Sequence, residues 1–265
     1  MPAMARAELE SLLRLKKLDH TLAGPDGMNA LDSGLAGRWL VPTGIARLDD
    51  RLQGGFPRGQ MSEVVGRRSC GGLAVMVSTV AGATQRGEAV AYIDPLDMFD
   101  PPSAAASRVD FSRMLWIRGE ATSSARVSLS CEYGTLQKSV DRAVKSLNLI
   151  LQAGGFGLVV LDLAEIPSQV LRRLPFTTWL RLHRVLEDSD TACALLGGEP
   201  ISRSAGGVTV HLDGLRASDF GLRAGTGPEP GAWIPRPVHQ LTARVVRARA
   251  GETPNVCVPV SAAAC

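Results

Sequence analysis

MSEVVGRRSCGGLAVMVSTVAGATQRGEAVAYID, residues 61–94, is the stretch of sequence that decides the fold. It predicts a short strand over Ser62–Val65, a glycine-rich turn, a helix from about Gly72 to Arg86, and an apolar strand that ends at Asp94. A strand, loop, helix and strand in this order form the repeating unit of a parallel sheet. The stretch therefore predicts an α/β protein.

The same alternation continues towards the C-terminus. MLWIRG (114–119) reads as a strand, and the apolar spacing of Leu136, Val140, Val144, Leu147 and Leu151 predicts a helix that ends at Gly154-Gly155. GLVVLDL (157–163) is apolar enough for a strand buried on both faces. A helix around Thr178 to Asp188 and the strands TACALLG (191–197), GVTVHLD (207–213) and QLTARVVRARA (240–250) follow. We expect a mostly parallel sheet flanked by helices, with an antiparallel C-terminal extension.

The sequence predicts an N-terminal segment that is distinct from this core. Residues 3–18 place Leu9, Leu12, Leu13 and Leu15 at the spacing of a one-faced helix, and residues 22–39 are rich in Gly, Asp, Asn and Pro. We therefore divide the chain into an N-terminal helix and linker, 1–39, and a core domain, 40–265. The four leucines are candidates for contact with a partner.

Composition narrows the protein class. Hydrophobic residues make up 45% of the chain and charged residues 21%, values typical of a globular domain rather than a disordered one. The net charge of +3 gives no global argument for nucleic-acid binding. The five cysteines lack metal-site spacing, and the N-terminus lacks an apolar run for a signal peptide or membrane span. We expect a cytoplasmic protein with free thiols.

One motif carries a family resemblance. VPTGIARLDDRLQGGFPRGQMSEVVG (41–66) places Thr43-Gly44, Leu48-Asp49, Gly54-Gly55 and Pro57-x-Gly59 in one order before a strand that ends at Gly66. This order resembles the beginning of the ATPase core of the RecA family. The resemblance covers roughly residues 40–250 and implies a RecA-like fold.

The phosphate-binding loop departs from the family's pattern. A working loop reads G-x-x-x-x-G-K-[ST], in which the lysine contacts the phosphates and the hydroxyl holds Mg²⁺. Here GRRSCGGL has Gly72 in the place of the lysine and Leu73 in the place of the hydroxyl residue. We therefore expect no required cofactor and weak ATP or ADP binding at most. The vestigial site would comprise Gly66, Arg67, Arg68, Ser69, Cys70, Gly71 and Gly72.

Further departures fall on other loops. Leu96 stands where the resemblance implies a water-activating glutamate, and neighbouring Asp97 is offset by one residue. Asp162 ends the Walker B-like strand and is either a remnant of a metal site or a structural aspartate. Gly198 stands where recombinases carry an amide sensor. We expect no catalytic residues and no bound metal.

Other polar groups are scattered. The arginines either form a basic surface or lie singly in solvent: Arg172, Arg173, Arg181, Arg184, Arg244, Arg247 and Arg249. The histidines and tryptophans form no recognisable site: His20, His183, His211, His239, Trp39, Trp116, Trp179 and Trp233.

The resemblance implies one leading function and two alternatives. A RecA-like chain without catalytic residues is similar to the mutasome accessory proteins of the ImuA type, which implies RecA and an error-prone Y-family polymerase as partners in the DNA-damage response. The alternatives are an NTPase that uses Arg67 or Arg68 instead of the lysine, and a cell-division inhibitor of the SulA type. Self-association and direct DNA binding stay open.

Overall fold

The computed structural model describes residues 39–67, 69–119, 133–187, 189–202, 207–213, 239–247, 251–252 and 256–260. The predicted N-terminal helix, with Leu9, Leu12, Leu13 and Leu15, lies outside these ranges. The described elements follow in chain order: β1 (Leu40–Val41), α1 (Ala46–Leu52), β2 (Phe56–Pro57), β3 (Met61–Gly66), α2 (Gly72–Gln85), β4 (Val90–Asp94), α3 (Pro101–Ala106), β5 (Met114–Arg118), α4 (Tyr133–Ala153), β6 (Leu158–Asp162), α5 (Ser168–Leu171), α6 (Phe176–Leu186), β7 (Ala192–Gly197), β8 (Val208–Asp213), β9 (His239–Arg247), β10 (Gly251–Glu252) and β11 (Val256–Val260).

A mostly parallel sheet forms the centre of the molecule. Its described strands lie in the order β10, β9, β8, β3, β7, β6, β4 and β5, and β11 also pairs with β9. The strands from β8 to β5 are parallel to their neighbours, whereas β9 runs antiparallel to β8, β10 and β11. This confirms the predicted parallel sheet with its antiparallel C-terminal extension.

Helices cover both faces of this sheet. Along β6, Leu158 and Val160 pack into the cluster that contains α2, while Val159 and Leu161 pack into the cluster that contains α4 and α6. Successive side chains of a strand point to opposite faces, so β6 is apolar throughout because both of its faces are covered. The predicted two-sided burial of this strand is confirmed.

The motif before β3 has a structural role. The Asp49 carboxylate accepts hydrogen bonds from the Thr43 amide at 2.7 Å, the Thr43 hydroxyl at 2.7 Å and the Gly44 amide at 3.1 Å. Gly55 has φ 135°, and a Cβ there would lie 2.1 Å from the Val41 carbonyl oxygen. Thr43, Asp49 and Gly55 are therefore needed to fold the chain back over β1 and β2, independently of any nucleotide.

The structure refines several predicted boundaries. The helix predicted to start near Thr178 begins two residues earlier, at Phe176, directly after Pro175. The long helix ends at Ala153, and the amide of Gly154, with φ 69°, donates to the Ile150 carbonyl oxygen as the glycine signal predicts. The pair β1 and β2 and the helix α3 were not predicted, because segments of two to six residues carry too little periodicity.

Candidate nucleotide site

The loop between β3 and α2 keeps part of the shape of a phosphate loop. Ser69 has φ 62° and Gly71 has φ 84°, and Gly71 caps α2 through its backbone with no side-chain hydrogen bond. The Cys70 amide donates to the Arg67 carbonyl oxygen at 3.1 Å, and the Cys70 side chain is buried. This amide is therefore engaged within the loop rather than with a ligand.

The position of the missing lysine is filled by packing. A Cβ placed on Gly72 would lie 2.7 Å from Cδ1 of Leu196, a buried side chain on β7. On the other side of the loop, a Cβ on Gly66 would lie 2.8 Å from the Leu212 carbonyl oxygen. Any side chain at position 72 must therefore displace Leu196 before it reaches a phosphate.

The side chain that follows Gly72 offers no hydroxyl for a metal. Leu73, in the place of the magnesium hydroxyl, is an aliphatic side chain with 39% of its surface exposed. Arg67 and Ser69 are exposed, and Arg68 lies outside the described residues. Arg67 and Ser69 are thus the described side chains of the loop that could donate to a phosphate.

Asp162 is tied to the sheet rather than directed at a cation. At the end of β6, its carboxylate accepts a hydrogen bond from the Tyr92 hydroxyl at 2.7 Å and one from the Ala164 amide at 3.0 Å. Burial raises the pKa of Asp162 to about 6, although these two hydrogen bonds lower it. Burial, together with the nearby Asp162 charge, also raises the pKa of Tyr92 well above its usual value. The geometry favours the structural interpretation of Asp162.

The turn after β4 uses its carboxylates for folding. Asp94 accepts hydrogen bonds from the amides of Met98 and Phe99 at 3.0 and 2.8 Å. Leu96, in the place of the water-activating glutamate, is buried in the apolar cluster that contains α4. Asp97 pairs with Arg118 through two hydrogen bonds of 2.7 and 2.8 Å, and the guanidinium holds the pKa of Asp97 below its usual range. Asp97 is thus engaged in an ion pair.

The segment after β7 is held by a buried carboxylate that was not predicted. Oε1 of Glu63, on β3, accepts hydrogen bonds from the Ile201 and Ser202 amides, both at 2.7 Å. Gly198 itself is exposed, and a Cβ there would meet no atom within 4 Å. The sequence carries signals for the two unpredicted residues: Glu63 is a charge within the apolar run MSEVVG, and Tyr92 is the hydroxyl-bearing residue of AVAYID.

Comparison with known proteins shows that part of the chain is similar to RecA. The family model of the RecA N-terminal domain matches residues 36–126. Over this segment the chain is RecA-like. It is 36% identical over 75 residues to the Protein RecA of Picosynechococcus, 34% over 116 residues to that of Amycolatopsis mediterranei, and 27% over 151 residues to that of Saccharopolyspora erythraea.

These matches cover 28%, 43% and 57% of the RecA-like chain and 22%, 33% and 38% of the respective relatives. The chain thus spans less than two fifths of the length of each of these curated relatives. The family-model match includes the altered phosphate loop and the turn after β4, and it ends before Asp162. Gly72, Leu73 and Leu96 therefore lie inside the matched RecA-like segment, whereas Gly198 lies outside it.

The candidate basic residues of the RecA-like chain lie in two places within the described part: Arg172, Arg173, Arg181 and Arg184 on α6 or in the turn before it, and Arg244 on β9. Arg172 pairs with Glu199 at 3.0 Å, while Arg181 and Arg184 are exposed on α6. Arg244 is partly buried on β9. Of the remaining three, Arg173 is exposed, and the Arg247 side chain and Arg249 lie outside the described part.

The other candidate groups form no site in the described part of the RecA-like chain. There, no group of three or more His, Cys, Asp or Glu could hold a metal, and no helix is long and apolar enough to cross a membrane. Cys70 and Cys193 are free and buried, and burial raises the pKa of Cys193 to about 12. His183 and Trp179 both lie on α6, where His183 is half-buried and Trp179 is buried. His20, Trp233, Cys131 and Cys265 lie outside the described residues.

Proposed function

We propose that this RecA-like chain is a catalytically inactive, cytoplasmic accessory protein of the bacterial DNA-damage response that binds or regulates RecA. The observation that carries the proposal is the glycine at position 72, where the phosphate-binding lysine would stand and where an added Cβ would lie 2.7 Å from Cδ1 of Leu196. The buried Leu96 and the hydrogen bond from the Tyr92 hydroxyl to Asp162 support it, since the first carries no carboxylate and the second engages the Asp162 carboxylate within the sheet.

The resemblance to ImuA-type mutasome proteins gives the proposal its cellular role. In that role the chain contacts RecA and an error-prone Y-family polymerase, and the N-terminal leucines provide one contact. A chain that keeps the RecA scaffold without its chemistry is suited to pair with RecA itself. This step is an analogy from fold and sequence pattern.

Nucleotide hydrolysis tests the inactive part of the proposal. We expect phosphate release from ATP and Mg²⁺ to stay at the blank level, with and without single-stranded DNA. The paired measurement is the thermal midpoint during titration with ATP or ADP, because a ligand that binds the folded state must raise it. Clear turnover that Arg67→Ala abolishes would establish the alternative NTPase, for which the exposed Arg67 is the favouring observation.

Capture of RecA tests the partner. A pull-down with the tagged full chain should retain RecA, and the double variant Leu12→Asp with Leu13→Asp should lose it. The matched control is Gly134→Ala, on an exposed and open position of α4. Undiminished capture of RecA by the leucine variant would remove the N-terminal helix from the proposal, and failure of the wild-type chain to capture RecA would remove RecA itself.

A further inference from the structure

The outward face of α6 carries two large apolar side chains. Phe176 is 50% exposed and Leu180 is 42% exposed, and their spacing of four residues places them on one side of the helix. The inward face of α6 is packed in the core, because Trp179, Leu182 and Leu186 are buried. A helix with its apolar side buried normally presents polar residues to solvent, so this exposed apolar pair requires its own explanation.

Positive charge surrounds this pair. Arg181 and Arg184 follow along α6, and Arg173 lies in the turn that precedes the helix. Within the described part of the chain, these three arginines make no ion pair. The α6 face, defined as Phe176, Leu180, Arg181 and Arg184 together with Arg173, is thus both apolar and basic.

The neighbouring helix extends the positive charge. α4 packs beside α6 and exposes Lys138 and Lys145, whereas its exposed Arg142 lines a cavity with Ile117 and Arg118 of β5. The two helices together carry five Lys and Arg (Lys138, Arg142, Lys145, Arg181, Arg184) against Asp141 and the exposed Glu187 that caps α6, whereas the whole chain has 29 basic and 26 acidic residues. The excess of positive charge is therefore concentrated on this helical layer.

We propose that the α6 face docks an acidic amphipathic helix of a partner protein. Leucine or similar side chains at one-turn spacing in the partner would contact Phe176 and Leu180, and flanking carboxylates would pair with the arginines. A nucleic acid fits this surface less well. Phe176 is its only aromatic residue, and Leu180 offers a base no ring on which to stack.

This inference rests on the proposed role as an interaction protein, and it specifies the chemistry of the partner. It does not require that partner to be RecA. If the chain fails to capture RecA but binds an acidic amphipathic helix, the assignment of RecA as partner is wrong and the proposal for the α6 face stands. If the chain captures RecA but does not bind such a helix, the proposal for the α6 face is wrong.

Fluorescence anisotropy with the full chain tests the proposal. The probe is a labelled peptide of about 20 residues, long enough to form a helix, with leucines on one helical stripe and glutamates elsewhere. A second peptide has the same composition with the leucines scattered around the helix, and a labelled oligo-dT of similar length represents nucleic acid.

Two double variants remove the two components of the face. Phe176→Ala with Leu180→Ala removes the apolar pair, and Arg181→Glu with Arg184→Glu reverses the charge. Matched controls make the same changes at exposed positions on other elements: Phe111→Ala with Leu115→Ala, and Arg51→Glu with Arg108→Glu. Thermal midpoints equal to that of the wild type verify that each variant is folded.

We expect the striped peptide to bind with a micromolar Kd, and each α6 variant to weaken binding by more than about tenfold while the controls leave it unchanged. Equal binding of the scattered peptide would overturn the proposal, because charge alone would then explain it. If the chain binds oligo-dT more tightly than the striped peptide, and Arg181→Glu with Arg184→Glu abolishes that binding, the α6 face binds nucleic acid instead.

If sedimentation shows a concentration-dependent dimer that Phe176→Ala with Leu180→Ala abolishes, the α6 face binds a second copy of the chain instead. No binding of the striped peptide would also overturn the proposal.

Discussion

Replacing Gly72 by alanine tests whether the lysine position is closed by packing. Gly72 is the first residue of α2, and a glycine-to-alanine change in a helix stabilises it by up to about 1 kcal/mol where space permits. Here the new Cβ would lie 2.7 Å from Cδ1 of Leu196, well inside the separation of about 3.5–4.0 Å that carbon atoms prefer. Overpacking costs about 1–3 kcal/mol, and the cost is at the low end where the atom that must move is the end of a flexible side chain, so Gly72→Ala should lower the free energy of unfolding by up to about 1 kcal/mol.

A double-mutant cycle with Leu196→Ala isolates the contact. Leu196 is 3% exposed, so its truncation alone should cost about 3 kcal/mol. In that background the alanine at position 72 no longer meets Cδ1, and its methyl group fills part of the cavity. Gly72→Ala should therefore become neutral or stabilising, with a favourable coupling energy of about 1–2 kcal/mol.

Urea unfolding measures all four proteins of the cycle through the midpoint at a common slope. The matched control is Gly134→Ala, because α4 leaves a Cβ at this position open space within 4 Å. This control should show the helix-propensity gain without the clash. If Gly72→Ala stabilised the chain as much as Gly134→Ala does, or if the cycle were additive, Leu196 would not close the lysine position.

The remaining predictions concern the carboxylates of Glu63, which is buried, and Asp162, which is partly buried. Glu63→Ala leaves the Ile201 and Ser202 amides without their acceptor and should cost about 3–5 kcal/mol, whereas Glu63→Gln keeps Oε1 and should cost less than half as much in urea unfolding. Equal losses in the two variants would refute the role of Oε1. For Asp162, the pKa of about 6 in the folded chain lies above the unfolded value of about 3.9, so the folded state binds more protons between pH 4 and 6. The free energy of unfolding should therefore fall, by at most about 3 kcal/mol, as pH rises through this window. Asp162→Asn should lack that part of the fall, and parallel pH profiles for wild type and variant would contradict the assignment.

The sequence could predict those parts of the fold that depend on local pattern. The strand β6 was predictable because a strand that is buried on both faces is apolar throughout. The helix α4 was predictable from the spacing of its apolar residues, and its end was predictable from Gly154. The absence of lysine and hydroxyl from the phosphate loop was equally visible.

The contacts that Gly72 and Asp162 make in the folded chain could not be predicted from the sequence. Leu196 lies far along the chain from Gly72, and Tyr92 is separated from Asp162 by 70 residues, so each contact depends on the order of strands within the sheet. Strand order places β7 beside both β3 and β6, and thereby brings Leu196 to the start of α2. A one-residue change of register would have turned Leu196 to the other face of the sheet.

Gly72 and Gly198 differ in the space that each leaves for a side chain. Position 198 is open, so a side chain could return there at little steric cost. Position 72 is closed by Leu196, and Leu96 is part of the core. A lysine at position 72 would require Cδ1 of Leu196 to move, and a glutamate at position 96 would place a charge among apolar side chains. Both changes would therefore cost stability, whereas a side chain at position 198 would not. This difference is why we propose a partner rather than a reaction for the chain.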